Sequence, residues 1–191
     1  MKRSILMLLC FCALTSYAQN LRFGELYSMI ERSFNDCEKM IISKNFYLDT
    51  KESWNPSLYS RPKGRQSPYK IGNSPATTYF YRSDKGQVLA LSVLSKDNKV
   101  YCVKYYINST NLLEYYVEQI ENLEYHITSD GSGGDSETLR NVRLIPDRIE
   151  NDLANFIDVR YKSYQTVIAI HGGRNYGYPE DDGKKYYNFG R

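Results

Sequence analysis

Residues 77–107 read TTYFYRSDKGQVLALSVLSKDNKVYCVKYYI, and this stretch decides the fold. It contains three runs rich in apolar and aromatic residues, at 77–82, 87–94 and 99–107. Asp and Asn residues separate the runs, and Gly86 stands where a tight turn favours a positive φ. The stretch therefore predicts a three-stranded antiparallel meander.

An amphipathic helix is predicted before the meander, at 21–44. Its apolar residues follow the 4-3-4-3-4 spacing that lines one helix face: Phe23, Tyr27, Ile30, Phe34, Cys37 and Ile41. A short strand is predicted at 45–50, with Phe46 and Leu48 on one side. Residues 53–76 hold four of the six prolines and are predicted to form a long irregular loop.

The same order of elements recurs after the meander. A second amphipathic helix is predicted at about 110–124, where Asn111 and Glu114 have capping-box spacing. This helix is followed by a short strand at 124–128, a Gly/Ser/Asp loop at 129–138, and strands at 139–145, 157–161 and 166–171. Residues 147–154 fit either a short helix or a continued strand. From residue 172 onward the apolar residues follow neither a helical nor a strand periodicity, which predicts a flexible tail at 172–191.

These elements predict an α+β fold in a single domain at 19–171. We expect a duplicated unit of one helix plus antiparallel strands, residues 21–107 and 109–171, with two helices packed on one face of a curved antiparallel sheet. This order of elements resembles that of the duplicated β-lactamase-inhibitor-like periplasmic modules and, more distantly, that of cystatin-like folds. The resemblance allows an inhibitor or immunity role without selecting one.

Residues 1–18 have the features of a secretory signal peptide. Lys2 and Arg3 precede an apolar run at 5–14, and Ser16-Tyr-Ala18 supplies small residues at the −3 and −1 positions of a cleavage site. The run is too short to span a bilayer. Together with Gln19, this segment resembles the signal peptides of exported proteins in the Bacteroides group of Gram-negative bacteria. We therefore expect a periplasmic or secreted protein with no membrane span.

Removing the signal peptide changes the charge and the cysteine count. The formal net charge falls from +3 to +1, because Lys2 and Arg3 leave while every acidic residue stays. A charge this small argues against nucleic acid as a partner. Two of the four cysteines, Cys37 and Cys102, remain in an oxidising compartment, and we expect them to form a disulfide.

No familiar catalytic or metal-binding motif occurs in the mature chain. His126 and His171 lie 45 residues apart, and HExxH, CxxC and GxSxG are absent. The segment Asp130-Gly-Ser-Gly-Gly-Asp135 lacks the lysine of a phosphate-binding loop and favours a plain hairpin loop. The sequence therefore predicts no catalytic residue, no metal and no cofactor.

The chain has 19 tyrosines, a residue suited to recognition surfaces. Aromatic and basic residues concentrate in the proline-rich segment, and we predict a binding site there: Trp54, Tyr59, Arg61, Lys63, Arg65, Tyr69 and Lys70. The leading hypothesis is a non-enzymatic module that binds a protein partner with an acidic surface. The alternatives are a small-ligand or glycan-binding protein that uses Trp54 and tyrosines, and an enzyme with an unrecognised site.

We predict that the exported protein begins at Gln19, because Ala18 closes the best small-x-small site after the apolar run. The intact mass of protein exported by a bacterial host measures this. A mass that matches residues 1–191, or a lipid adduct on Cys10 or Cys12, would contradict the prediction.

Overall fold

The computed structural model describes residues 21–54, 57–59, 70–73, 75–109, 112–131, 138–146, 154–162 and 165–172. Within these ranges it contains three helices: α1 (Phe23–Tyr27), α2 (Phe34–Ser43) and α3 (Leu113–Glu121). It also contains ten strands: β1 (Phe46–Trp54), β2 (Ser57–Tyr59), β3 (Lys70–Asn73), β4 (Ala76–Ser83), β5 (Val88–Leu94), β6 (Lys99–Ile107), β7 (Tyr125–Gly131), β8 (Thr138–Pro146), β9 (Ala154–Lys162) and β10 (Thr166–Gly172).

Eight of these strands form one antiparallel sheet in the order β1-β4-β5-β6-β10-β9-β8-β7, and β2 and β3 form a separate pair. The predicted meander is confirmed as β4, β5 and β6, which are neighbours in the sheet. Gly86 adopts φ 75° in the first turn, the conformation that the sequence required of it. The broad α+β prediction is also confirmed.

The predicted first helix, 21–44, is divided into α1 and α2. Glu31 has φ 61° between them, and its N–H donates to the carbonyl oxygen of Val100 at 2.8 Å. The N–H of Val100 in turn donates to the carbonyl oxygen of Arg32 at 3.0 Å. These bonds to β6 replace helical ones, and Ser33 then caps α2 by accepting from the N–H of Asp36. The apolar spacing identified the buried face but did not reveal this break.

The second half differs from expectation mainly at the ends of its elements. The second predicted helix, 110–124, is the shorter α3; its N-cap residue is Leu112, without a side-chain cap bond. Asn111 of the predicted capping box lies outside the described residues, as do residues 147–153 and the predicted tail from 173 onward. β7 extends to Gly131, into the predicted 129–138 loop.

The described parts of the proline-rich segment form strands that the sequence did not predict. β1 continues to Trp54 instead of ending at Thr50, and β4 begins at Ala76. Between them, β2 and β3 form an antiparallel pair inside the segment that was predicted to be an irregular loop. Proline spacing indicates where regular structure is interrupted, but it does not show that the residues between prolines pair.

The larger hydrophobic cluster joins side chains of all three helices to side chains of the eight-stranded sheet. Phe34 of α2 stacks on Tyr79 of β4, with ring centroids 4.1 Å apart. Leu21 is held at both backbone polar groups: its N–H donates to the Tyr105 hydroxyl at 3.4 Å, and its carbonyl accepts from the Tyr116 hydroxyl at 3.0 Å. Burial raises the pKa of both tyrosines, so these hydroxyls stay protonated.

The expected disulfide is not present, because Cys37 and Cys102 are both free, buried thiols. Cys37 belongs to the larger cluster, and burial raises its pKa to about 11. Cys102 belongs to a second cluster with Trp54 and Tyr101. Strand pleating explains the separation: Val103 and Tyr105 of β6 face the larger cluster, so Cys102 points to the other face. A sequence pattern that places both cysteines in apolar runs does not reveal which face each one joins.

No helix in the described ranges is long and apolar enough to cross a membrane.

Replacement of Gly172 by Ala should destabilise the fold, because a Cβ there would lie 2.2 Å from Ile30 Cγ2 and 3.1 Å from the Tyr101 carbonyl oxygen. Ile30 is 2% exposed and cannot turn this methyl away without disturbing its neighbours. We expect a loss of about 1–3 kcal/mol in the free energy of unfolding, measured by urea titration. Gly24→Ala in α1 is the control: no atom lies within 4 Å of its added Cβ, so it should be neutral or stabilising. Equal effects of the two substitutions would refute the close approach.

Candidate functional site

The predicted binding segment begins at Trp54, the last residue of β1. Its indole Nε1 donates to Thr78 Oγ1 at 3.1 Å, and the Thr78 and Ser92 hydroxyls lie 2.9 Å apart. The indole ring also lies 6.4 Å from the Tyr101 ring, between centroids. Trp54 therefore anchors the end of β1 to the neighbouring strands β4, β5 and β6. These contacts give the Trp54 side chain a structural role that requires no ligand.

The pairing of β2 with β3 brings two of the predicted site residues together. Tyr59 and Lys70 are register partners, next to a register shift between Leu58 and Tyr59. Their backbones are adjacent, and residues 60–69 connect them along the chain. The other predicted residues of the segment, Arg61, Lys63, Arg65 and Tyr69, lie outside the described residues. The pairing therefore holds the two ends of the 60–69 connection next to each other.

A buried ionic cluster on β8 and β9 was not singled out from the sequence. Asp158 is 1% exposed and accepts two hydrogen bonds from Arg143, Nε to Oδ1 at 2.7 Å and Nη2 to Oδ2 at 2.9 Å. The Arg143 and Asp158 backbones are register partners on adjacent strands, which sets the two side chains face to face. Arg160 Nη2 donates a third bond to Oδ2 at 3.3 Å.

Two opposing effects act on Asp158. Burial raises the pKa of its carboxyl group, but the hydrogen bonds and positive charge of Arg143 outweigh burial. His171 and Arg160 add to this effect, so the pKa lies below its usual value. Asp158 is therefore ionised at neutral pH and holds the two arginines in place. The alternation of charged Asp158, Arg160 and Lys162 with apolar neighbours was visible in the sequence, but it normally indicates a solvent-exposed face.

Next to this cluster, His171 of β10 and Cys102 of β6 are register partners. The Cys102 Sγ and His171 Nδ1 atoms lie 3.8 Å apart. Burial, assisted by the charge of Lys104, lowers the pKa of His171 to about 3, so its imidazole is neutral at pH 7. Cys102 is 1% exposed, which removes its thiol from contact with a dissolved substrate. The pair is thus a packed contact between two strands.

A second ionic cluster connects α3 to β7 and β8. Arg140 donates two hydrogen bonds to Asp130, at 2.9 and 2.8 Å, and another to Glu114. Asp130 is the first residue of the glycine-rich segment, for which the sequence predicts a plain hairpin loop, and its carboxylate accepts two hydrogen bonds from Arg140. Among the described residues, no group of three His, Cys, Asp or Glu side chains is placed to hold a metal ion.

Replacement of Asp158 by Asn should leave Arg143 and Arg160 without their counter-charge. We expect the free energy of unfolding at pH 7 to fall by about 2–4 kcal/mol, somewhat less than for a fully buried pair because the Arg143 side chain is 41% exposed. The native pKa of Asp158 is lowered, so its stabilisation is complete above the unfolded value of about 3.9 and is lost as pH falls through the native pKa. Urea titrations of both proteins across this range should therefore converge at acidic pH.

Asp130→Asn is the matched control, since Asp130 also accepts two bonds from one arginine but lies at the surface. It should have a much smaller effect than Asp158→Asn. If the two substitutions were equally mild, the buried ionic cluster would not stabilise the sheet.

Comparison with known proteins adds no assignment: no family model, no curated protein and no solved structure matches the chain. A functional argument therefore depends on the contacts and the charge distribution of the chain itself.

Proposed function

We propose that the protein is an exported, non-enzymatic interaction module that binds a protein partner in the periplasm or outside the cell. The proposal combines the signal-like residues 1–18 with the basic segment 54–70. The single observation that carries it is the pairing of β2 with β3. This pairing places the backbones of Tyr59 and Lys70 side by side, so that Arg61, Lys63 and Arg65 fall in the short connection between two paired strands.

The charge of this part of the chain supports an acidic partner surface. Residues 53–81 contain no Asp or Glu and four basic residues, Arg61, Lys63, Arg65 and Lys70; the next basic residue, Arg82, forms an ion pair with Asp49. With a mature net charge of only +1, a local excess of this size produces a positive field that the rest of the chain does not share. Such a field speeds the association with an acidic surface.

The connection of the segment to the sheet supports recognition as well. Trp54 is hydrogen-bonded and packed where the segment leaves β1, and Ala76 is buried where it enters β4. Pro56, Pro62 and Pro68 restrict the backbone between these points. A restricted segment loses less conformational entropy on binding. The glycan-binding alternative has less support, because the indole N–H of Trp54 already donates to Thr78.

We also propose that the chain is a duplicated unit, residues 21–107 and 109–171. The junctions after α2 and after α3 support this, because they match feature by feature with a constant offset of 79 residues. Asn45 and Glu124 have φ 62° and 61°, each directly before a strand. The first strand residues, Phe46 and Tyr125, are both buried, and the register shifts follow Leu48 and Ile127.

The strand order around the ladder between β6 and β10 supports the same proposal. Val103 pairs with Ile170, Lys104 with Ala169 and Tyr105 with Ile168. Any antiparallel ladder has a local two-fold axis of this kind, so the support comes from the strands on either side of it. A two-fold axis through the Lys104–Ala169 pair would also relate β5 to β9, β4 to β8 and β1 to β7, as in the observed strand order. A duplicated gene product folds in this way when its two copies share one sheet.

Replacement of Arg61, Lys63 and Arg65 by Ser should slow the association with a partner recovered from periplasmic extract. We expect the association rate to fall at low salt and the difference to shrink at high salt, because the charges act mainly by steering. Stopped-flow or surface-based kinetics at both salt concentrations measure this effect.

The control variant replaces Lys39, Lys51 and Lys99, three exposed lysines elsewhere in the chain, by Ser. It carries the same change in net charge, so it separates a local effect from a general one. Equal rates for the two folded triple variants would move the binding site away from residues 54–70.

A further inference from the structure

The end of the sheet at β7 differs in character from the end at β1. The strand order places β1 and β7 at opposite edges, seven strand spacings or about 34 Å apart. α3 lies against β7, β8 and β9. Residues 113–131, which comprise α3, β7 and the turn between them, are called the acidic end below.

The acidic end has an excess of negative charge. It contains no Lys or Arg and five acidic residues: Glu114, Glu118, Glu121, Glu124 and Asp130. Glu114, Glu118 and Glu121 follow one another at spacings of four and three, so they share one face of α3, where like charges repel. Arg140 forms ion pairs with Glu114 and Asp130, and its single positive charge balances one of these two carboxylates. Among the described residues, no Lys or Arg forms an ion pair with Glu118, Glu121 or Glu124.

The acidic end also exposes apolar side chains. Tyr115 is 49% exposed, Leu123 45% and Ile127 38%, and these are three of the six large apolar residues exposed in the described ranges. The β7 edge carries no charge from Ile127 to Ser129. The opposite edge strand, β1, carries Asp49, Lys51 and Glu52 at its centre, as expected of an edge protected against strand addition. The β7 edge lacks charged residues at its centre, and a register shift follows Ile127 there.

We infer that the acidic end binds the basic segment of a second copy of this chain. The basic segment supplies what the acidic end lacks, namely cations for Glu118, Glu121 and Glu124. The inference rests on the proposed function, because it uses the same basic segment and names its acidic partner. Charge complementarity within one sequence selects the second copy over an unrelated protein.

The two surfaces are different and lie in different parts of the chain, so the contact is head-to-tail. Each copy then keeps one free basic segment and one free acidic end. Contacts of this kind close into a ring or continue as an open chain of molecules. The assembly should depend on salt, because its attraction comes from exposed charges.

Sedimentation velocity of the mature protein tests the inference directly. We expect self-association at about 0.01 M salt, where the Debye length is about 30 Å, and monomers at about 1 M salt, where it is about 3 Å. Glu118→Lys with Glu121→Lys should weaken self-association by about tenfold or more. Glu118→Gln with Glu121→Gln should weaken it less, while relieving repulsion within α3 and so preserving the helix.

The control reverses two exposed acidic residues elsewhere, Glu52→Lys with Asp84→Lys, and should leave self-association at the acidic end intact. The decisive step is charge exchange. Arg61→Glu with Lys63→Glu should also prevent self-association, yet its mixture with the Glu118→Lys, Glu121→Lys protein should associate again. The control protein, Glu52→Lys with Asp84→Lys, is also mixed with the Arg61→Glu, Lys63→Glu protein. This mixture should show only the weak attraction that arises from the opposite changes in net charge.

A chain that is monomeric at low salt at every soluble concentration would overturn the inference, and so would self-association that the acidic-end variant leaves unchanged. A monomer whose acidic end nevertheless binds an added oligolysine peptide would overturn it too, by replacing the second copy with another basic partner. The proposed function fails separately. It fails if the Arg61, Lys63 and Arg65 to Ser variant associates at an unchanged rate with a partner from periplasmic extract.

Discussion

The hydrogen-bonded ladder between β6 and β10 is the interaction on which the rest of the structure depends. It is the one place where the strands that follow α2 pair with the strands that follow α3 within the eight-stranded sheet. Val103 and Tyr105 face the larger cluster from one side of this ladder, and Ile168 and Ile170 face it from the other. The paired residues of β6 and β10 lie 59 to 69 positions apart in the chain. Bringing them together carries a loop-closure cost, and the apolar surface buried on both strands offsets it.

This ladder also gives the sheet two different faces. One face carries the aliphatic and aromatic side chains that join the helices in the larger cluster. The other carries Cys102, Lys104 and His171 at the ladder and Asp158 with its arginines on the strands beyond. Asp158 is tolerated there because Arg143 and Arg160 supply both charge and hydrogen bonds to its carboxylate. Strand alternation thus separates an apolar core from a buried ionic cluster across a single layer of backbone.

Charge is also distributed unevenly along the sheet, from the end at β1 to the end at β7. The basic residues of 53–81 lie between β1 and β4 in the chain, whereas the acidic residues of 113–131 lie in α3, β7 and the turn between them. Net charge hides this arrangement, because the two excesses nearly cancel in the mature chain. A protein with this distribution is a dipole, and its electrostatic interactions depend on which end meets a partner.

Part of the fold could be predicted from the sequence because interactions between residues close in the chain determine it. The meander followed from its turn residues and Gly86, and the buried face of α2 followed from apolar spacing, with Phe34, Cys37 and Ile41 all buried as expected. The break at Glu31 was not accessible, because its hydrogen bonds go to Val100, a residue distant in sequence. The ionic cluster was missed for a similar reason. Asp158 alternates with apolar neighbours, which is the pattern of an exposed strand residue. Only the strand register, which pairs Asp158 with Arg143, shows that its charge is paired and buried.

The sequence by itself determined the α+β class, the positions of the meander and the buried face of α2, because turn propensity and hydrophobic period act over a few residues. It also determined the charge of the 54–70 segment, and most of the residues of that predicted site lie outside the described ranges. Only the tertiary structure decided that Cys37 and Cys102 lie in separate clusters, that β2 pairs with β3, and that β6 meets β10. These outcomes depend on strand register and on which face a side chain joins, and both are set by contacts between residues far apart in the chain.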